Sequence, residues 1–413
     1  MTLYSNKLGY GLSRELWLVQ IGIFLNTFGW GAVLPFEVIY LHDGRGLSLQ
    51  TAGLVVGTLT GVAVVAAPFA GRLIDAVGAR ATAVAAGSAL AAGYAGLAFA
   101  HSAGPAFAAA VIGGVGNGAL SPAQTTLLVT LTRREYRHRA TAVSRVCTNA
   151  GFGFGGAAGG LFAAHGLNGY VALFLLNGAT YLAYVAVLVA CVRKEEPHEP
   201  ITGGYRRVVR DGAFVRLALA NVAVIGVGWG VLPWVVPPFA TAELHVGPKM
   251  IGLLMLANAA TVVVVQVPVA RFAEGRRRVA MMAGGSFAFA AACLLVLSAR
   301  SLAGFGTTAL VLASVVIGVG ECFHSAALGP LVADLAPPGL RGRYQAGIGL
   351  SWWLGLALAP TVGTQLLSVS ASLTFVTFAV IAVGAAASLL ALDPRLPHDA
   401  RATPRTVGVP ETA

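Results

Sequence analysis

Apolar runs long enough to cross a bilayer follow one another almost from end to end of this 413-residue chain, broken only by short polar turns. A bilayer core is about 30 Å thick, so a spanning helix needs about 20 mainly apolar residues. Divided at the turns, the sequence predicts helices over 16–41, 50–75, 80–100, 105–131, 139–164 and 169–192. A second set is predicted over 214–240, 249–273, 279–299, 305–334, 343–368 and 371–391. The runs are rich in Ala, Leu, Val and Gly and lack the alternation of barrel strands, so the expected fold is an all-α integral membrane protein of twelve transmembrane helices. The first run is too long for a signal-peptide core and is expected to remain as the first helix.

The pattern repeats at about half the chain length. Gly29, Trp30, Gly31 and Pro35 recur as Gly228, Trp229, Gly230 and Pro233, and Pro68 with Asp75 recurs as Pro268 with Glu274. Gly116 and Asn117 match Gly320 and Glu321, and Arg137 with Arg139 matches Arg341 with Arg343. Four matches in register imply two pseudo-symmetric six-helix halves, 1–192 and 214–392. Residues 193–213 contain KEEPHEPITGG and are expected to be a cytoplasmic linker, and 393–413, rich in Pro, Thr and Arg, a disordered cytoplasmic tail.

Composition narrows the function. A chain 57% hydrophobic and 10% charged is not a soluble enzyme. The formal charge of +11 raises nucleic acid as a partner, but the basic residues follow topology. With both termini inside, all 27 Lys and Arg fall in cytoplasmic turns and helix ends except Arg45, Lys249, Arg300 and Arg145. That arrangement suits a lipid bilayer and excludes nucleic acid. Cys147, Cys191, Cys293 and Cys322 stand singly, without metal-ligand spacing, and no catalytic triad or nucleotide loop is present, so neither enzyme activity, metal nor cofactor is expected. The Arg-, Ala- and Gly-rich usage points to a bacterial cell (inner) membrane.

Residues 71–80 read GRLIDAVGAR, where Gly71 and Gly78 suit a tight turn, Asp75 a helix end and Arg80 the inner surface. This loop resembles the signature of the major facilitator superfamily. Residues 151–160 read GFGFGGAAGG, similar to the GxxxGPxxGG motif of the drug:proton antiporters in that superfamily, with Gly156 in the proline's place. The second copy of the loop, ARFAEGRRR from Ala270, puts Glu274 near the Asp position, and Ile112 stands where the family's fourth helix has an arginine. The resemblance implies a gate in which Asp75 helps latch the cytoplasmic side.

Charge inside a span marks candidate chemistry. An unpaired guanidinium at mid-membrane costs about 3 kcal/mol, so Arg145, beside Asn149, must face a cavity or partner, unless it snorkels to the inner interface. Glu321 sits near the middle of the tenth span with His324 three residues on, a pair that could exchange protons or could be packed and satisfied. Glu37 follows Pro35 toward the outer end of the first span, either on the central pathway or as an interfacial carboxylate. Trp30, Trp229, Trp234 and Trp352 are candidate stacking surfaces or lipid anchors, and Asn26, Gln124, Asn258 and Gln266 candidate cavity hydrogen-bonders. Pro233, Pro237 and Pro238 interrupt the seventh span.

Together these features predict a secondary transporter, monomeric, exchanging protons for small lipophilic organic compounds by alternating access. A proton-coupled importer and a non-transporting sensor or scaffold with the same fold are the alternatives.

Overall fold

The computed structural model describes residues 12–132, 136–193, 205–302, 304–337 and 340–403. The first repeat is α1 (Arg14–Val33), α2 (Leu49–Val77), α3 (Ala79–Ala98), α4 (Ala103–Thr130), α5 (Arg137–Ala163) and α6 (Leu167–Cys191). The second is α7 (Gly212–Val227), α8 (Pro248–Phe272), α9 (Arg278–Ser298), α10 (Gly306–Leu335), α11 (Arg341–Val369) and α12 (Ala371–Leu392). Among the described residues 11 helical stretches are long and apolar enough to cross a membrane. α5 has 27 residues, and its glycine run with Thr148 and Asn149 accounts for its weaker apolar signal. Large apolar side chains such as Val65, Phe69, Val263 and Val264 lie exposed along α2 and α8, the surface expected of helices solvated by lipid.

Proline shapes the first helix of each repeat. Pro35 has no N–H to continue the α1 ladder, and the chain tightens into a 3-10 turn at Leu34–Phe36 before Glu37–Ile39 and a π turn at Tyr40–Gly44. In the second repeat α7 stops at Gly228, and two short helices follow, Val231–Trp234 and Val236–Leu244. Pro68 and Pro268 both lie inside α2 and α8, as the repeat requires.

Packing divides the chain into two units that cut across the repeat. One comprises α1–α6 with Gly230–Ala259 and Leu356–Ala371; the other contains Gly203–Trp229, Ala260–Gly355 and the chain from Ser372. Within the first unit α1 packs on α5 and α6, while α4 lies against α2 and α3. The first part of α8 and the last part of α11 join it through glycines. A Cβ at Gly156 would stand 2.6 Å from Met255 Cβ, and one at Gly160 2.7 Å from the Pro248 carbonyl oxygen. Gly53 on α2 faces Thr364 and the Pro360 carbonyl in the same way.

Two expectations need correction. The segment 193–213 is not wholly a tether, since Tyr205–Arg210 forms a helix, and Asp211 caps α7 by accepting from the amides of Ala213 and Phe214. The tail is not a solvated end throughout. Leu396 and Ala400 are buried, Asp393 accepts from Arg277 at 2.7 Å, and the Thr403 backbone accepts from the Gly275 amide at 2.8 Å and donates to the Arg276 carbonyl at 3.1 Å.

Candidate functional site

Glu37 is the most enclosed carboxylate among the described residues, 1% exposed, although it lies only seven residues from Gly44, the last of the π turn. The helical turns after Pro35 carry it inward. Its Oε1 accepts from the Tyr94 hydroxyl of α3 at 3.0 Å and its Oε2 from Trp234 Nε1 at 2.9 Å. Both donors are neutral, and no ion pair among the described residues reaches the carboxylate. Tyr94 stacks on Tyr181 of α6 with ring centroids 6.1 Å apart. Beside the Tyr94 hydroxyl lies Asn177, fully buried, whose Oδ1 and Nδ2 close no hydrogen bond of normal geometry.

A second polar site lies in the same unit, nearer the opposite ends of α1, α4 and α5. Ser121, Gln124 and Thr125 stand at helical spacing on one face of α4. Ser144, Arg145, Thr148 and Asn149 do so on α5. These faces line an open cavity of about 280 Å³, with Ile23 and Leu128 as its apolar wall and Arg145 and Asn149 exposed in it. Gln20, fully buried on α1, ties the helices by donating to the Ala140 carbonyl at 3.1 Å and accepting from Ser144 Oγ at 2.8 Å. Gln124 Nε2 is buried without a hydrogen bond of normal geometry, although it approaches the Tyr184 hydroxyl. Arg145 with Asn149, and Gln124, which the sequence offered apart from them, thus share one cavity.

The proposed Glu321–His324 pair does not form. His324 turns instead to α7, its Nε2 2.8 Å from Asn221 Oδ1; Asn221 Nδ2 donates to Ser351 Oγ at 2.8 Å and Ser351 to the Ile348 carbonyl at 2.7 Å. The directions are consistent with a neutral ring carrying its hydrogen on Nε2, leaving Nδ1 buried without a partner. Trp229 packs over His324 at 5.5 Å and against Trp352 at 5.3 Å. Glu321 is half-buried on another face of α10, near Ser325, which approaches Gln266 Oε1 at 3.3 Å.

The loop signature makes a one-residue link between α2 and α3. Gly78 takes φ +87°, which an L side chain rarely adopts, and Arg80 then donates to the carbonyls of Leu188 and Val189, both at 2.9 Å, at the end of α6. Gly71 faces open space, and the Asp75 side chain lies outside the described residues. The second repeat keeps the device in altered form. Gly275 takes φ +73°, and Arg278, buried, bonds Asp334 at 2.7 Å and the Ala400 carbonyl at 3.3 Å.

The remaining candidates scatter. Trp30 meets Phe152 edge to face at 4.9 Å; Asn26 is buried with Nδ2 unbonded, and Asn258 is half-buried on α8. Sequence reasoning missed Tyr94, Asn177, Asn221 and Ser351, which read as ordinary members of small-residue helices. A polar side chain in a run as apolar as that around Asn177 is the signal that could have found them.

The sequence matches the family model described as Major Facilitator Superfamily over residues 19–220 and again over 217–411. Multidrug resistance protein MdtH of Aeromonas salmonicida (strain A449) is 26% identical over 359 residues, 84% of this chain and 85% of the relative. The uncharacterized MFS-type transporter YqjV of Bacillus subtilis (strain 168) is 24% identical over 357 residues, 84% of this chain and 85% of the relative. A crystal structure of peptide transporter POT in complex with sulfate superposes with TM-score 0.76 at 16% identity, covering 94% of this chain and 95% of that one. A D-xylose-proton symporter superposes with TM-score 0.71 at 15% identity, covering 91% and 96%. At such identities the structural likeness establishes the fold alone.

Proposed function

The chain belongs to the Major Facilitator Superfamily of membrane transporters, and from that premise we propose that it is a proton-coupled exporter of small lipophilic organic compounds such as drugs or natural products. Its place in this reading is a bacterial inner membrane, as a monomer, with both termini and the Arg-rich turns in the cytoplasm. The likeness to a multidrug resistance protein over most of both chains supports efflux.

Glu37 is the observation that carries proton coupling. An indole N–H only donates, so Trp234 fixes Oε2 as an acceptor in either charge state. A hydroxyl both donates and accepts. A proton arriving on Oε1 turns the Tyr94 hydroxyl into an acceptor, and its own hydrogen then finds Asn177 Oδ1 once that amide, whose Nδ2 side faces the hydroxyl, turns over. The pocket accommodates the carboxylate and the carboxylic acid at the cost of one amide turning over. Removing the charge changes how firmly Glu37 holds Trp234 and hence how readily α1 parts from Gly230–Ala259.

The depth of the polar cavity supports the outward direction of this reading. The Arg145 cavity lies toward the ends of α4 and α5 that meet the basic turn containing Arg133 and Arg134, which the charge bias makes cytoplasmic, so substrate is collected from inside. The test is proton release from the purified protein on adding a panel of lipophilic cations and amphiphilic acids, with Glu37→Gln and Glu321→Gln alongside. Release by wild type that is lost in Glu37→Gln supports the reading. Release that persists there and disappears in Glu321→Gln overturns the role of Glu37.

A further inference from the structure

We propose that the Arg145 cavity is a binding site for the carboxylate, or an equivalent anionic group, of an amphiphilic organic acid. The inference rests on the transport reading above and narrows its substrate class. Three observations combine. Among the described residues that line the cavity, Arg145 is the sole ionic group, and neither an ion pair nor a hydrogen bond joins it to another described residue. Gln124 on the same wall carries a second donor, its Nε2 held only by an approach to the Tyr184 hydroxyl that falls short of normal hydrogen-bond geometry. The rest of the polar lining is hydroxyls and one amide; Ser144 and Thr125 already spend their hydrogens on Gln20 and the Ser121 carbonyl, Ser121, Thr148 and Asn149 can donate to an anion, and among the described lining residues no carboxylate repels one.

A guanidinium inside a spanning helix is costly unless something compensates it, and a planar fork of N–H groups matches a carboxylate. The cavity's volume of about 280 Å³ is close to the lower end of ligand pockets, room for a two-ring compound. Ile23 and Leu128 supply the apolar wall against which rings would lie. A lipophilic cation would meet Arg145 at close range with no acid to offset it, so the cavity discriminates by charge as well as by size.

The experiment uses the full-length protein in nanodiscs and three probes sharing one ring system: 2-naphthylacetic acid at pH 7, its primary amide, and 2-(2-naphthyl)ethylammonium. Titration calorimetry should show the acid binding at least about tenfold more tightly than the amide and the cation, the effect of one charge-assisted hydrogen bond. Arg145→Gln should remove the acid's advantage and leave amide binding unchanged, whereas Arg145→Lys should keep part of it. The comparison among probes on wild type needs no variant and survives a folding failure. Binding is measured without a proton gradient, so a protein that moves no protons yet prefers the acid refutes the coupling reading and not this one. Amide or cation binding as tight as the acid's, an acid affinity unchanged in Arg145→Gln, or no binding by any probe overturns it.

Discussion

Replacing Glu37 by Gln keeps the shape of the side chain and removes its charge, and the two donors around it let the outcome be worked through. A hydrogen bond to a charged group contributes about 1.5–3 kcal/mol and one between neutral groups about 0.5–1.5, so the two bonds from Tyr94 and Trp234 lose about 1 kcal/mol each. Against that stands relief of a buried ion without an ionic partner, several kcal/mol. The amide fits one way only, Oε1 taking the Trp234 hydrogen and Nε2 donating to Tyr94. Glu37→Gln should therefore melt at the wild-type temperature or above it. Glu37→Ala should be less stable by about 1–3 kcal/mol for each donor left without an acceptor. Thermal unfolding of the purified variants, followed by size-exclusion chromatography, reads the order. In proteoliposomes Glu37→Gln should retain substrate exchange and lose accumulation driven by a pH gradient. A Gln variant that melts below the Ala variant, or that still drives uphill transport, refutes the reasoning.

A Cβ at Gly155 would collide with the Phe28 carbonyl of α1, so Gly155→Ala should lower stability by about 1–3 kcal/mol, whereas Gly349→Ala, in open space, should be neutral or slightly stabilising; equal melting temperatures would sink the claim of close approach. Asn221→Leu should cost about 1–3 kcal/mol by leaving His324 Nε2 and Ser351 without their shared partner, and adding His324→Leu should recover part of that loss; additive losses in the double-mutant cycle would mean the three do not act as a chain. Leu396→Ala should lower stability by about 2 kcal/mol if the first residues of the tail pack as described, and an unchanged melting temperature would return them to solvent.

Hydropathy and turn residues placed the ends of most helices within a few positions of those observed, because a spanning helix is dictated by the thickness of its solvent and not by its neighbours. The depth of Glu37 was not legible in the same way. The sequence runs from it into His42, Asp43 and Gly44, which read as an interface, and only the 3-10 and π turns keep those residues in line with the helix and Glu37 within it. Spacing put Glu321 and His324 on one face, yet three residues on a helix span about 300°, leaving about 60° between them. That is enough for His324 to meet α7 while Ser325, beside Glu321, meets α8. Arg145 and Asn149 were legible as neighbours because they are local; that Gln124 joins them depends on the relative height of α4 and α5. The packing of Leu396 and Ala400 rests on too few apolar residues to raise any periodic signal.

α5 presents backbone on two sides at once. Gly151, Gly155 and Gly159 meet the carbonyls of α1, while Gly156 and Gly160 meet Met255, Gly252 and Pro248 of α8. Helices that interlock through large side chains behave like gears, since any slide must lift one tooth out of its notch and change rotamers on both sides. A smooth rail has no teeth. Movement of α8 along α5 would meet a shallower energy profile than meshed side chains give, with the Met255 side chain riding over Gly156. The glycine run then acts as a lubricated bearing, and a single bulky residue in it would introduce a detent that halts the sliding while leaving the helices folded.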